Sequence, residues 1–208
     1  MSTAFSAEKL LELGSATIGE SGALSMHPRL RPAWVGAALG APAYTVQCSP
    51  GDNLAVHVAV TKAPEGTVLV VNVADVPQRG YWGEVLTTAA KSRHLAGLVI
   101  DGGVRDTAAL EAHRFPVFSS TIALPGATKC SKGTVGRPVE VGGVTVSTGD
   151  WIVADNDGVV SIPSSLKDEV FAAAVARAEK ENGLFAALNR GETTVSLLGL
   201  DASLIEVT

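Results

Sequence analysis

The sequence predicts an α/β domain, and three observations carry that reading. Thr67 to Val73, Gly83 to His94, Leu98 to Ile100, Thr107 to His113 and Pro116 to Ser119 read in turn as strand, helix, strand, helix and strand. That alternation is the order of a partly parallel sheet. Arg137 to Ile162 is rich in Val, Gly and Thr and is broken at Gly142-Gly143, Gly149-Asp150 and Asn156-Asp157-Gly158; it reads as short strands and hairpins. Helical segments stand at both ends. With 208 residues, 46% hydrophobic and 18% charged, one domain with a sizeable core is expected over residues 1–208.

Taken in order, Ser6 to Leu13 opens with a capping-box-like Ser6, Glu8 and Lys9 and stops at Gly14. Ala16 to Leu24 is a weaker helix candidate, Arg29 to Trp34 a loop, and Ala43 to Cys48 a strand. Pro50-Gly51-Asp52-Asn53 is a turn that can start a helix. The following Leu54 to Val60 nevertheless alternates like a strand, so periodicity leaves both states open. Pro64-Glu65-Gly66 ends it. After the hairpins, a long amphipathic helix from about Ser164 to Asn189 carries Val170, Phe171, Ala174, Val175 and Ala178 at helical spacing, and Gly191 ends it. No internal repeat, low-complexity tract or linker interrupts the chain.

Composition narrows the partners. A net charge of -5 gives no electrostatic reason to expect nucleic acid. The first residues lack a basic segment followed by an apolar core, so no signal peptide is expected. No apolar run is long enough to span a bilayer, so no membrane partner is expected either. Cys48 and Cys130 form neither a CxxC nor a metal-ligand spacing, which makes a reducing cytoplasm the expected location.

The most informative stretch is Leu98-Val-Ile-Asp-Gly-Gly-Val-Arg-Asp-Thr107. It reads as a strand, a glycine turn and a helix start, with polar groups at the carboxyl end of the strand, where open α/β sheets bind ligands. Arg105 would supply a fixed positive fork and Asp106 a metal-binding carboxylate. The alternative for Asp106 is a cap for the helix at Thr107, and for Arg105 a surface ion pair. Asp101 has a turn or supporting role, and Gly102 and Gly103 allow a tight turn and close backbone approach to a ligand. Asp155, Asn156 and Asp157 lack the glutamate of a calcium loop and read as a hairpin turn. His27, His57, His94 and His113 form no ligand-spaced pair and read as structural. Trp82 either walls a pocket or packs beside a helix.

Gly83-Glu84-Val-Leu-Thr-Thr-Ala-Ala-Lys91, Ala96 to Asp106 and Phe115-Pro-Val-Phe118 together resemble the RraA-like family. Pro50-Gly-Asp-Asn-Leu54, Gly142-Gly-Val144, Gly149-Asp150 and Ala154 to Val159 extend the likeness from about Pro28 to Leu200. The resemblance implies a swivelling β/β/α fold with terminal helices, assembled as a homotrimer or a dimer of trimers. The family contains the 4-hydroxy-4-methyl-2-oxoglutarate/4-carboxy-4-hydroxy-2-oxoadipate aldolases, and also regulators of ribonuclease E that commonly lack the aspartate after the arginine. Asp106 therefore favours the aldolase branch. On this likeness Asp106 is the metal ligand, Arg105 contacts the keto or enolate oxygen, Glu84 holds metal-bound water, and Glu192 acts from a neighbouring subunit. Glu192 reads equally as a solvated loop charge.

The chemistry expected of such an enzyme is retro-aldol cleavage of a small 2-oxo acid with expulsion of pyruvate enolate, and with it oxaloacetate decarboxylation. A Schiff-base lysine needs an apolar site, and the lysines at 9, 62, 91, 129, 132, 167 and 180 lie mostly in polar or turn contexts. Mg²⁺, with Mn²⁺ or another divalent metal as a substitute, would serve instead as a Lewis acid. Gly83 and the free backbone N–H groups at the start of the next helix, including Val85 and Leu86, could bind the substrate carboxylate. A carboxylate at Glu84 also favours the helix start by itself. The alternatives are a protein-binding regulator and an enzyme acting on another 2-oxo acid. A methyltransferase finds no support, because no glycine-rich nucleotide loop follows the first strand.

Overall fold

A mixed sheet pivots on one strand. The computed structural model describes residues 4–74 and 76–206; residues 1–3, where part of the leader reading falls, lie outside them. The chain forms α1 (Ala7–Gly19), the short β1 (Leu24–Ser25) and β2 (Arg31–Pro32), and then the long β3 (Leu39–Gln47). α2 (Leu54–Lys62), β4 (Val68–Asn72), β5 (Gly80–Trp82), α3 (Glu84–Ser92), β6 (Gly97–Val104), α4 (Thr107–Ala112) and β7 (Val117–Ile122) follow. Next come β8 (Thr134–Val135), the hairpin β9 (Val139–Val141) and β10 (Val144–Val146), then β11 (Trp151–Ala154) and β12 (Val159–Ile162). α5 (Lys167–Asn189) and α6 (Thr194–Leu198) complete it.

β3 changes partner halfway. Leu39 to Pro42 pair antiparallel with β11, and Ala43 to Gln47 pair parallel with β4. Beyond β4 the sheet continues parallel through β6 and β7, with β5 parallel on the far end of β6. On the other wing β12 and β1 add antiparallel strands. β4 and β6 read as near-continuous apolar runs because parallel strands are covered on both faces. This is the α/β class with terminal helices that the sequence implies.

The ambiguous Leu54 to Val60 is helical. Ala55, Val56, Ala59 and Val60 are its buried residues, one helical stripe that strand alternation would have split. α1 also differs from expectation. Ser6 Oγ caps it by accepting from Lys9 N at 3.2 Å, but Gly14, with φ +79°, breaks rather than ends it. The helix resumes because Asp155, in the β11–β12 turn, accepts from Ser15 N at 2.7 Å and Ser15 Oγ at 2.6 Å. The second piece stops at Gly19, so Leu24 belongs to a strand, and the Arg29–Trp34 loop contains β2. α1 and α5 cover the antiparallel wing through Leu10, Ile18, Val153, Ile162, Val170, Phe171 and Ala174. Past Ala174, only Ala187 of α5 is buried. Among the described residues no helix is long and apolar enough to cross a membrane.

The largest correction concerns β6, which does not turn at Gly102-Gly103 but runs on to Val104. Neither glycine is in the left-handed region. A Cβ on Gly102 would stand 2.7 Å from Val73 Cγ2, and one on Gly103 would overlap the Arg79 carbonyl and stand 2.8 Å from the Pro77 carbonyl. Gly102 thus admits the Val73 side chain and Gly103 neighbouring backbone, and neither makes a turn. Because the obstacle is main chain, Gly103→Ala should cost about 3 kcal/mol. Urea unfolding checks this; a change under 1 kcal/mol would show that the loop can yield.

Candidate functional site

Extending β6 carries Arg105 and Asp106 to the mouth of a cleft of about 250 Å³. Gly83, Val85 and Leu86 line it from the start of α3, Asn53 and His57 from α2 and its cap, and Lys129 from the loop before β8. Trp82 is both wall and packing. It is buried and lines the cleft, its Nε1 donates to Thr87 Oγ1 at 2.7 Å, and its ring stacks on Phe115.

Asp106 has φ +59° and ψ +36°, a left-handed conformation that aspartate tolerates. It occupies the N-cap position of α4 but makes no side-chain cap there. Oδ2 instead accepts from Glu84 N at 3.0 Å and so holds the first N–H of α3. A Cβ on Gly83 would overlap that same Oδ2. Val85 and Leu86 N–H, in the first turn of α3, have no i−4 carbonyl within the helix. Arg105 is anchored by its own N–H donating to the Trp82 carbonyl at 2.9 Å. Its guanidinium is held loosely, with Nε 3.9 Å from Asp106 Oδ2 and Nη1 3.5 Å from the Leu124 carbonyl. Such a group can exchange these contacts for a ligand anion.

Two expected residues are not brought there within one chain. The Glu84 carboxylate lies 3.4 Å from His113 Nε2, and Glu84 does not line the cleft. Glu192 accepts from Arg190 Nη2 at 3.0 Å, beyond α5, and does not line the cleft. Asp101 is a strut: Arg29 Nε donates to it at 2.9 Å and Gly142 N at 3.0 Å. Burial raises its pKa, but the Arg29 and Gly142 donors bring it below the ordinary value. Arg29 and Asp101 border a larger groove of about 550 Å³. Its one arginine is already paired with Asp101, so the smaller cleft holds the better-equipped chemistry.

Sequence reading missed Asn53, His57 and Lys129. The first two share a helical face at i and i+4, a signal hidden by the strand-like pattern that follows Asn53. Burial, and then the Lys129 charge, lower the His57 pKa. Lys129 is set by Asp52, a buried carboxylate two residues from the start of α2. Asp52 accepts from Leu54 N at 2.8 Å, Cys130 N at 2.6 Å, Ser131 N at 3.1 Å and Thr128 Oγ1 at 2.8 Å. Burial alone would raise its pKa; those donors outweigh it and hold the carboxyl well below the usual range. Lys129 itself is exposed, unlike a Schiff-base lysine in an apolar site.

Among the described residues no group of three or more His, Cys, Asp and Glu side chains converges. Asp106 therefore offers one carboxylate, with Oδ2 oriented by an N–H and Oδ1 without a hydrogen bond from the described residues. One oriented oxygen fits a cation such as Mg²⁺ that keeps most of its waters and substrate oxygens.

Comparison with known proteins gives this geometry a family. The RraA-like family, described as Aldolase/RraA, matches residues 15–161. A protein of Halalkalibacterium halodurans provisionally named 4-hydroxy-4-methyl-2-oxoglutarate aldolase is 38% identical over 129 residues, 62% of this chain and 61% of that one. The match thus spans less than two thirds of that relative's length. A crystal structure of an uncharacterized protein from Pseudomonas syringae superposes with a TM-score of 0.79 at 26% identity, covering 89% of each chain. The RNA-processing inhibitor RraA from Thermus thermophilis superposes with a TM-score of 0.61 at 27% identity, covering 68% of this chain and 85% of its own. With most of the sheet and the whole Arg105-Asp106 cleft inside the matched segment, the chain belongs to the RraA-like family.

Proposed function

We propose that the protein is a divalent-metal-dependent aldolase that cleaves 4-hydroxy-4-methyl-2-oxoglutarate-type substrates to pyruvate and also decarboxylates oxaloacetate. The observation that carries this reading is Asp106, which presents one oxygen without a hydrogen bond from the described residues, beside Arg105 and the α3 terminus in one cleft. In the cleavage the C4 hydroxyl loses its proton, the C3–C4 bond breaks, and a carbonyl forms at C4. The bonding pair becomes the enolate, with charge on the C2 oxygen, and protonation at C3 gives pyruvate. Mg²⁺, or Mn²⁺ in its place, would supply Lewis acidity at the keto oxygen when bound. Asp106 would hold the ion. Val85 and Leu86 N–H receive the C1 carboxylate with the helix terminus behind them. Arg105 faces the C2 oxygen, where its charge lowers the energy of the developing anion by about 3–4 kcal/mol. Glu84, which does not line the cleft within one chain, would turn from His113 to hold water beside the ion, and Glu192 would act from a neighbouring copy in a homotrimer or dimer of trimers.

A second reading, a regulator that acts by binding protein, is favoured by the likeness to the Thermus inhibitor. Pyruvate release from 4-hydroxy-4-methyl-2-oxoglutarate and from oxaloacetate, with Mg²⁺ and then with excess EDTA, separates the two. Metal-dependent release, lowered about 10²–10³-fold in Arg105→Ala, is expected. No release from either substrate would leave the regulator or a different 2-oxo acid.

A further inference from the structure

We propose that His113 is a positioning residue that governs where the Glu84 carboxylate stands. Protonated, its ring holds Glu84 away from the cleft; neutral, it gives the carboxylate up to the Asp106 side. This deepens the aldolase reading and rests on it, because that reading gives Glu84 its task beside the ion. The main chain of Glu84 is fixed at the cleft, where its N–H donates to Asp106 Oδ2 at 3.0 Å. Its carboxylate is not fixed there. Oε1 lies 3.4 Å from His113 Nε2, and no other ion pair or hydrogen bond reaches that carboxylate among the described residues. The side chain is 56% exposed, so no packing opposes its rotation. Steps between staggered rotamers on a fixed Cα carry it from one position to the other without moving the helix.

The other half of the pair is anchored. His113 is the C-cap of α4; its N–H donates to the Ala109 carbonyl at 2.9 Å, and its own carbonyl accepts from Lys91 Nζ at 2.7 Å. The ring is thus a post, and Glu84 is the arm that swings. α3, the helix packed on α4, brings Glu84 and Lys91 to this post. Glu111 and Arg114 flank it in sequence, and the Arg114 guanidinium is drawn over the Trp34 ring, 5.0 Å from its centroid. Among the described residues, the Glu84 carboxylate alone pairs with the imidazole. Histidine is the side chain that gains positive charge as pH falls from about 8 to about 5. With that charge, Nε2 attracts the carboxylate across the gap; without it, only a long hydrogen bond remains. The contact is partly solvated, so the charge shifts the balance between the two positions by about threefold and does not lock either. The pair acts as a brake in acid, with no change of fold.

The test compares about pH 5.5 with about pH 8.5 in wild type, in His113→Gln, which keeps a neutral donor, and in His113→Lys, which keeps a cation at both. Mg²⁺ affinity is read by calorimetry without substrate, and kcat by pyruvate release. Affinity follows Glu84 because a carboxylate that holds an ion's water strengthens its binding. His113→Gln should exceed wild type about threefold in both readouts at the lower pH and match it at the higher. His113→Lys should match wild type at the lower pH and fall about threefold below it at the higher. In a Glu84→Gln background neither substitution should have an effect. Equal pH profiles in wild type and His113→Gln, or an effect that survives Glu84→Gln, would overturn the brake. Affinity that responds to His113 without turnover keeps the brake and removes the aldolase reading, whereas turnover with no response to His113 does the reverse.

Discussion

Gly83→Ala is expected to lower turnover about 10³-fold, as much as Asp106→Ala, without unfolding the protein. The backbone at Gly83 is extended, with φ -166°, so alanine fits the main chain. The new methyl, however, would occupy the position of Asp106 Oδ2. That carboxylate is the free end of a side chain and can rotate away, giving up its bond from Glu84 N, a stability cost of about 1–3 kcal/mol. Metal affinity measured by calorimetry should fall with activity, while the far-UV spectrum stays unchanged. In an Asp106→Ala background the methyl would meet only the flexible Arg105 side chain, at 3.2 Å from Cγ, and most of the stability cost of Gly83→Ala should vanish. Full activity in the single variant would show that the carboxylate is not needed where the structure places it.

Asp52→Ala should destabilise the protein by about 3–5 kcal/mol, because three backbone donors and one hydroxyl lose a buried anion together. Urea denaturation at neutral pH measures it. The same carboxylate gives an acid limit. Its folded pKa lies below the ordinary 3.8, so the unfolded chain takes up the proton first as pH falls. The contribution is therefore whole well above 3.8, and declines as pH drops from there toward the lower folded value. Asp52→Asn should lose that dependence. An unchanged acid transition in Asp52→Asn would assign the limit to another group.

Much of the site was legible because it is local in sequence. Gly83, Val85 and Leu86 are one helix start, and Arg105 and Asp106 are adjacent, so strand and helix patterns bring them to the ends of neighbouring elements. What could not be read depends on contacts distant in sequence. The two glycines of β6 look like a turn until Val73 is seen packed against Gly102, and Arg79 and Pro77 passing against Gly103. For Asp106 the alternative to a metal carboxylate is a cap for its own helix, yet the residue caps another, 22 residues earlier. Lys129 carries no pattern at all; only Asp52, 76 residues from Thr128 in sequence, makes it a fixed group. The fold class survived these errors because periodicity reports burial, which a misplaced strand end alters little.

The change of partner along β3 bears on how the chain acquires its structure. Leu39 must wait for Ala154, and Leu24 for Ser161. The parallel layer from β3 through β7 can assemble from residues 39–122 alone, with mid-range separations. The antiparallel wing cannot close until β11 and β12 exist, and loop closure over such separations is slow. During synthesis β1 would therefore stay unpaired until β12 is made, and the Leu39–Pro42 edge would stay bare until β11 is made. Elongation rate and chaperone supply would accordingly govern the yield of native protein more through this one edge than through the cleft.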